Sequence, residues 1–466
     1  MVFTSHIFLF YFLPFVLLFY YLLPKGRNLF LLVVSYIFYG WEEPWFVLLM
    51  FLATLVNFIC GHFISRPGAT HTERHIALVS SIIASLSLLG FFKYFVFMQN
   101  NLNSLLSLFG QEAFPVFLVS LPIGISFYTF QSLSYTIDLY RGDARPVSSF
   151  TDFACYVALF PQLIAGPIVR YSTIADQLIQ REHRIDAFSS GVVLFILGFS
   201  KKILLANPMG EIADPVFAAQ SPTTLDAWFG VVAYAFQIYF DFSAYSDMAI
   251  GLGRMFGFEF LQNFNAPYLA DSMTDFWRRW HISLSTFLRD YLYIPLGGNR
   301  KGNLRTYFNL AIVMLLGGLW HGASWVFVVW GAYHGIWLAF ERWRGKESIY
   351  HSLPHCLRIL LTFVVVLISW VLFRSTDLLQ AGLYLKSMAG MNGSSGGSVL
   401  LSAELYNPAH LLPFMASMIL SFQPIQAFEL AKSLSWWKLV LVSTLFVISV
   451  LSLIVQTFNP FLYYQF

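Results

Sequence analysis

Long apolar runs broken by short polar turns dominate the pattern of this chain. They cover residues 7–23, 29–39, 45–64, 76–98, 115–140, 153–169, 188–205, 227–257, 306–340, 359–373, 411–425 and 439–456. At roughly 20 apolar residues per bilayer crossing, with allowance for loops, they predict about 10–12 helical spans or part-spans. Not every run suits a straight helix. Pro122 and Gly124 are potential kink points in 115–140. Pro161, Gly166 and Pro167 make 153–169 a broken or re-entrant segment. Lys25 and Arg27 follow the first run, which places that loop in the cytoplasm and the N-terminus outside. The acidic turn Glu42-Glu43-Pro44 is then external and the basic connection 66–74 internal. The polar segment 100–111 reads as an external loop, and Arg170, Arg181 and Arg184 mark a return to the cytoplasm.

One stretch departs from the pattern. Residues 264–340 begin FNAPYLADSMTDFWRRWHISLSTFLRDYLYIPLGGNRKG and crowd nine charged residues into 271–305. The following run, 306–340, carries no charged residue yet holds His321 and His334. Ionisable groups inside an apolar segment are costly and default to functional candidates.

Composition supports the membrane assignment. The chain is 58% hydrophobic and 11% charged, against about 25% charged in soluble proteins. Mean hydropathy is +0.66. No long hydrophilic linker interrupts residues 1–466, so a single membrane domain is expected. The stretch 386–400, with MAGMNGSSGGS, reads as a flexible loop before the C-terminal spans. A net charge of +3 is too small to imply nucleic-acid binding. Cys60, Cys155 and Cys356 are odd in number and widely spaced, which suggests neither a disulfide framework nor a zinc site. The first run has no basic residue before it and no small-residue cleavage site after it, so it reads as a retained span.

Taken as one helix, 275–290 brings Asp275, Arg278, His281, Ser285 and Arg289 into an arc of about 120°. Asp275 then reaches Arg278 or Arg279. Periodicity alone favours a surface-lying connector anchored to anionic lipid. PLGGNRKG at 295–302, with Arg300, reads as a tight cytoplasmic loop and lacks the spacing of a phosphate-binding P-loop. His321 lies about 22 Å into the apolar run if the run is an upright helix. Gly317 and Gly318 would clear space beside its ring, for another helix or for a substrate. His334, nearer the end of the run, suits a structural or supporting role. A buried neutral histidine can take a proton from a hydroxyl, which suits acyl transfer to an alcohol. Neither a G-x-S-x-G elbow nor HExxH is present. Asp241 and Asp247, inside 227–257, either orient a donor or the histidine, or satisfy buried hydrogen bonds. These features reach a deep histidine facing a cavity, and no substrate.

Five segments carry a resemblance. They are LPIGISFYTFQSLSY at 121–135, ALFPQLIAGPIVR at 158–170, YFDFSAYSDMAIGLG at 239–253, NFNAPYLADSMTDFWRRWHISLSTFLRDYLYIPLGGNRKG at 263–302 and MLLGGLWHGASWVFVVWGAYHG at 314–335. The chain resembles the membrane-bound O-acyltransferase family, most closely its AlgI-type branch, typified by bacterial alginate O-acetyltransferase. The likeness covers most of residues 1 to about 345. KSMAGMNG at 386–393 fits that branch better than the shorter D-alanyl transferases of teichoic acid.

The resemblance implies an all-α bundle pierced by a tunnel. The family's signature histidine corresponds to His321, as general base or acyl relay, and its second signature position to His281. Arg278, Arg279 and Arg300, with Asp241 and Asp247, become candidates for contacting an anionic donor. That donor is a cytoplasmic thioester, commonly acetyl-CoA, and no metal or bound cofactor is implied. The family context is the bacterial inner membrane, with a periplasmic or extracellular partner acetyltransferase that completes transfer to an exported polysaccharide. Two alternatives remain: a transferase fed by a carrier protein, and a transporter or scaffold without chemistry.

Overall fold

The computed structural model describes residues 1–345, 347–391, 403–433, 435–456 and 461–462. Of the predicted 386–400 loop, residues 392–400 lie outside the described residues. The described residues form helices joined by turns. They fall into two compact units, Met1–Val192 with Ala249–Leu261, and Val193–Met248 with Gln262–Phe466. Among the described residues, five helices are long and apolar enough to cross a membrane: Pro44–Ser65, His71–Leu108, Ile185–Ala218, His355–Arg374 and Trp436–Val455. Phe8–Leu22, Arg27–Gly40 and Pro408–Ser421 are shorter apolar helices. Large apolar side chains such as Trp45, Ile83, Leu360 and Leu451 are exposed on these helices, as contact with lipid requires.

In the first unit, local chemistry sets where helices start and stop. Thr70 and Glu73 form a reciprocal capping box at the start of the His71 helix, with N–H to side-chain distances of 3.3 and 2.8 Å. That helix continues to Leu108, so most of the expected external loop at 100–111 is helical. Its polar side chains bond back to the preceding turn, Asn101 Nδ2 to Phe97 O at 2.7 Å and Ser104 Oγ to Asn100 O at 2.9 Å. These bonds let a polar sequence continue a helix. The run 115–140 is not one span either. Residues 111–122 are irregular, and the helix Ile125–Arg141 begins after Gly124, whose φ is +72°.

The expected break in 153–169 is present. Phe150–Ala158 stops at Leu159 (φ −54°, ψ 109°), and one turn, Phe160–Leu163, follows. The segment is fully buried at Phe153, Tyr156, Phe160 and Leu163. Gln162 Nε2 donates to Tyr156 O at 2.7 Å, so a carbonyl freed by the break is satisfied by protein.

In the second unit the stretch 275–290 is not one helix, and the predicted continuous polar stripe does not form. Met273–Arg279 ends at Trp280 (ψ 128°); His281 adopts φ +45° and ψ 54°; Ile282–Leu288 then begins. The cause lies upstream. Asn265 N–H donates to Arg279 O and Ile282 N–H to Asn263 O, each at 2.9 Å. These two bonds hold the junction in an irregular conformation in place of the helical ladder. Glu341, fully buried, accepts the N–H groups of Met273 at 2.7 Å and Thr274 at 2.8 Å, and so caps the first short helix. The loop at 295–302 is the tight turn expected, with Gly297, Gly298 and Gly302 all at positive φ.

Candidate active site

His321 is the last residue of the helix Asn303–His321. Gly322 is extended, and a second helix, Trp325–Trp343, returns against the first. The two expected uses of Gly317 and Gly318 separate here. A Cβ on Gly318 would lie 2.2 Å from Phe327 O and 3.2 Å from Gly331 Cα, so its space is taken by the returning helix. A Cβ on Gly317 would meet only Leu288 Cδ1, at 3.4 Å. This close hairpin holds the His321 ring in an aromatic cage. Trp320, Trp330 and Phe373 stand edge-on to it, with centroids at 5.0, 5.2 and 5.2 Å. His321 is 5% exposed.

His281 reaches the same cage from the short-helix junction. Its ring lies 4.7 Å from Phe242 and 6.0 Å from Trp320. A non-glycine residue in the left-handed region is uncommon and is retained only where its surroundings over-determine it. Asn263 does so here. Its Oδ1 accepts from Ser283 N–H at 3.1 Å and Ser283 Oγ at 2.9 Å. These donors fix the amide orientation, so His281 Nδ1, 3.2 Å from the same oxygen, carries the proton. Nε2 is then left with its lone pair, and it has no hydrogen-bond partner among the described residues. His281 is outside the long apolar helices and fully buried, and burial pushes its pKa down to about 3. The ring is therefore a neutral, oriented base.

His334 packs edge-on against the far part of the cage. It lies 4.6 Å from Trp330, and its Nδ1 accepts from Trp277 Nε1 at 3.3 Å. That bond locks the ring against the first short helix, as a supporting role requires.

The charged candidates divide. Asp275 pairs with Arg279 at 2.7 Å, one of the two expected partners. Asp247 pairs with Lys201 and Asp241 with Lys202, both at 2.7 Å, and Asp241 Oδ2 also accepts Leu462 N–H at 2.9 Å. Both carboxylates thus have lysine partners. Arg278 and Arg300 are exposed and are the cations of the set left facing outward. The described residues contain no cluster of three or more potential metal ligands.

Comparison with known proteins decides the family. The model of MBOAT, the membrane-bound O-acyltransferase family, matches residues 33–346, which include His281, His321 and His334. The chain belongs to this family. It is a multi-pass membrane O-acyltransferase. A probable alginate O-acetylase AlgI of Pseudomonas putida is 45% identical over the whole of both chains. A peptidoglycan O-acetyltransferase of Helicobacter pylori is 37% identical over 85% of this chain and 81% of its own. A teichoic acid D-alanyltransferase of Streptococcus thermophilus is 28% identical over 54% of this chain and 68% of its own.

Within this acyltransferase, residue-by-residue reading overlooked Asn263, Glu341 and Trp330. Asn263 was visible only as the first residue of a motif. Glu341 sits one position beyond the uncharged run, where it reads as a helix end facing solvent.

Proposed function

We propose that this acyltransferase moves an acetyl group from acetyl-CoA, on the cytoplasmic side of the bacterial inner membrane, toward O-acetylation of an exported polysaccharide such as alginate. One observation carries the reading: His281 and His321 converge on the same indole, one of them neutral and oriented by Asn263. In the chemistry proposed, the acceptor hydroxyl oxygen attacks the thioester carbonyl carbon. His321 removes the hydroxyl proton as the C–O bond forms. The C–S bond breaks, and the proton passes to the departing sulfur, giving an ester and free thiol. His281, through Nε2, holds an acceptor position beside the reacting groups, and Arg278 and Arg300 meet the phosphates of the donor. A periplasmic or extracellular acetyltransferase completes delivery to the polymer, with the N-terminus on that outer side.

The full-length likeness to a probable alginate O-acetylase supports an acetyl group and a polysaccharide over an aminoacyl group from a carrier protein, since the D-alanyl relative matches only 54% of the chain. The test is chemical analysis of O-acetyl groups on surface polymers from cells with the wild-type protein, His321→Ala, or none. Equal acetylation with His321→Ala, at equal protein level, would refute the enzymatic role and leave a transporter or scaffold.

A further inference from the structure

The first compact unit holds a second feature, built from residues that the acyl-transfer reading does not use. A cavity of about 500 Å³ opens between the Lys25–Arg27 turn and the segment around Arg181 and His183, with Asp152 on one wall. These are two loops that the charge pattern assigns to the cytoplasm. Gly26, at φ +77°, makes the turn that presents Lys25 and Arg27 on either side of it.

Its two arginines are held in place without an ion-pair partner among the described residues. Arg27 and Arg181 both lie over the Tyr20 ring, at 5.2 and 5.9 Å, and Arg181 also covers Phe258 at 4.5 Å. Tyr20 Oη donates to Phe256 O at 2.7 Å, and His183 Nε2 lies 2.9 Å from Tyr20 Oη. Since that hydroxyl proton is spent on the carbonyl, His183 donates through Nε2 and accepts from Arg27 Nη1 at Nδ1, 3.4 Å away. His183 is thus neutral, and its pKa is lowered by desolvation and by both arginines. Asp152 accepts from Asn28 Nδ2 at 2.5 Å and Ser149 Oγ at 2.7 Å, two neutral donors that also line the cavity. Among the described residues Lys25, Arg27 and Arg181 form no ion pair.

We propose that this cavity is a binding site for a phosphate group. Three cations against one carboxylate leave a net positive charge that a phosphate matches, and guanidinium forks suit its oxygens. The site adjoins the end of a short apolar helix, Phe8–Leu22, a position that a phospholipid headgroup can reach; a soluble phosphate ester offers the same chemistry. The proposal goes beyond the acyl-transfer reading and stands without it.

The test uses purified full-length protein titrated with inorganic phosphate, short-chain phosphatidylglycerol and, as a zwitterionic control, short-chain phosphatidylcholine. Saturable binding of phosphate identifies a soluble ligand; saturable binding of phosphatidylglycerol alone identifies a headgroup. In either case the double variant Arg27→Gln, Arg181→Gln is expected to bind about tenfold or more weakly. No saturable binding of either anionic probe, or equal affinity in wild type and variant, overturns the proposal. If the double variant does not fold, Lys25→Gln, at an exposed turn position, decides alone: unchanged affinity there overturns it.

Discussion

His281 and His321 share one indole: Trp320 lies 6.0 Å from the first ring and 5.0 Å from the second, in edge-on geometry to both. Two groups in contact with one ring act as a unit, and their effects do not add. His321→Ala is expected to lower acetyl transfer by about 10²–10⁴-fold, the scale of a general base. His281→Ala lowers it less. The double variant falls no further than His321→Ala alone. Transfer assays on the three variants measure the coupling, and fully multiplicative losses would show two independent roles.

Asn263 positions His281 through one oxygen that also serves two Ser283 donors. Asn263→Ala strands those buried donors, at a cost of about 1–3 kcal/mol. It also releases the Nδ1 proton that sets the tautomer. Asn263→Asp keeps an acceptor in place and is expected to restore much of the rate lost in Asn263→Ala. The rescue is the discriminating readout, because a merely structural defect would track melting temperature in both variants. Equal transfer by wild type and Asn263→Ala would remove Asn263 from the site.

The buried neutral state of His281 gives a pH dependence of stability with a definite sign. The unfolded ring takes a proton below its ordinary value of 6.5, whereas the folded ring resists protonation down to about 3. Within that window the unfolded state binds more protons, so stability rises with pH and is lost as pH falls. The full difference of one proton corresponds to about 1.4 kcal/mol per pH unit. His281→Asn, which tolerates the left-handed backbone, is expected to flatten the dependence. Thermal melts from about pH 4 to 6.5 check it; parallel curves for wild type and variant would assign the acid sensitivity to other groups.

Adjacent glycines of the His321 helix carry opposite predictions. Gly318→Ala drives a Cβ to 2.2 Å from a backbone oxygen of the returning helix, an overpacking that costs typically about 1–3 kcal/mol or more. Gly317→Ala meets only the end of Leu288, at 3.4 Å, and gains up to about 1 kcal/mol of helix propensity. The first variant should melt lower than wild type and the second no lower. The reverse order would mean that the helices do not close through Gly318.

What the chain reveals in advance depends on the range over which each feature is determined. Apolar runs report burial directly, so helices such as Pro44–Ser65 and His355–Arg374 are legible within a few residues of their ends. The break near Leu159 is legible for the same reason, since its prolines are local. The break at His281 is not, because the bonds that force it come from Asn263 and Asn265. Helical periodicity drew 275–290 as a single polar stripe because it sees only spacing along one element. The polar segment before Leu108 misled in the opposite direction, since its side chains satisfy themselves within the helix. His321 stands out through its depth in an uncharged run and His281 through motif likeness, while their shared contact with Trp320 is a tertiary fact.

The buried pair between Lys202 and Asp241 allows a test of whether this carboxylate serves the fold or the donor. Its two side chains are only 5% and 1% exposed and lie 2.7 Å apart. Removing one partner of a buried pair typically costs about 3–5 kcal/mol. Asp241→Asn is therefore expected to lower the melting temperature sharply. The double variant Lys202→Met, Asp241→Leu removes both charges and should recover part of that loss, since an apolar pair of similar size is often neutral in such a position. If Asp241 serves only the fold, the molecules that remain folded keep the wild-type KM for acetyl-CoA. A raised KM in Asp241→Asn at unchanged stability would return this carboxylate to the donor site.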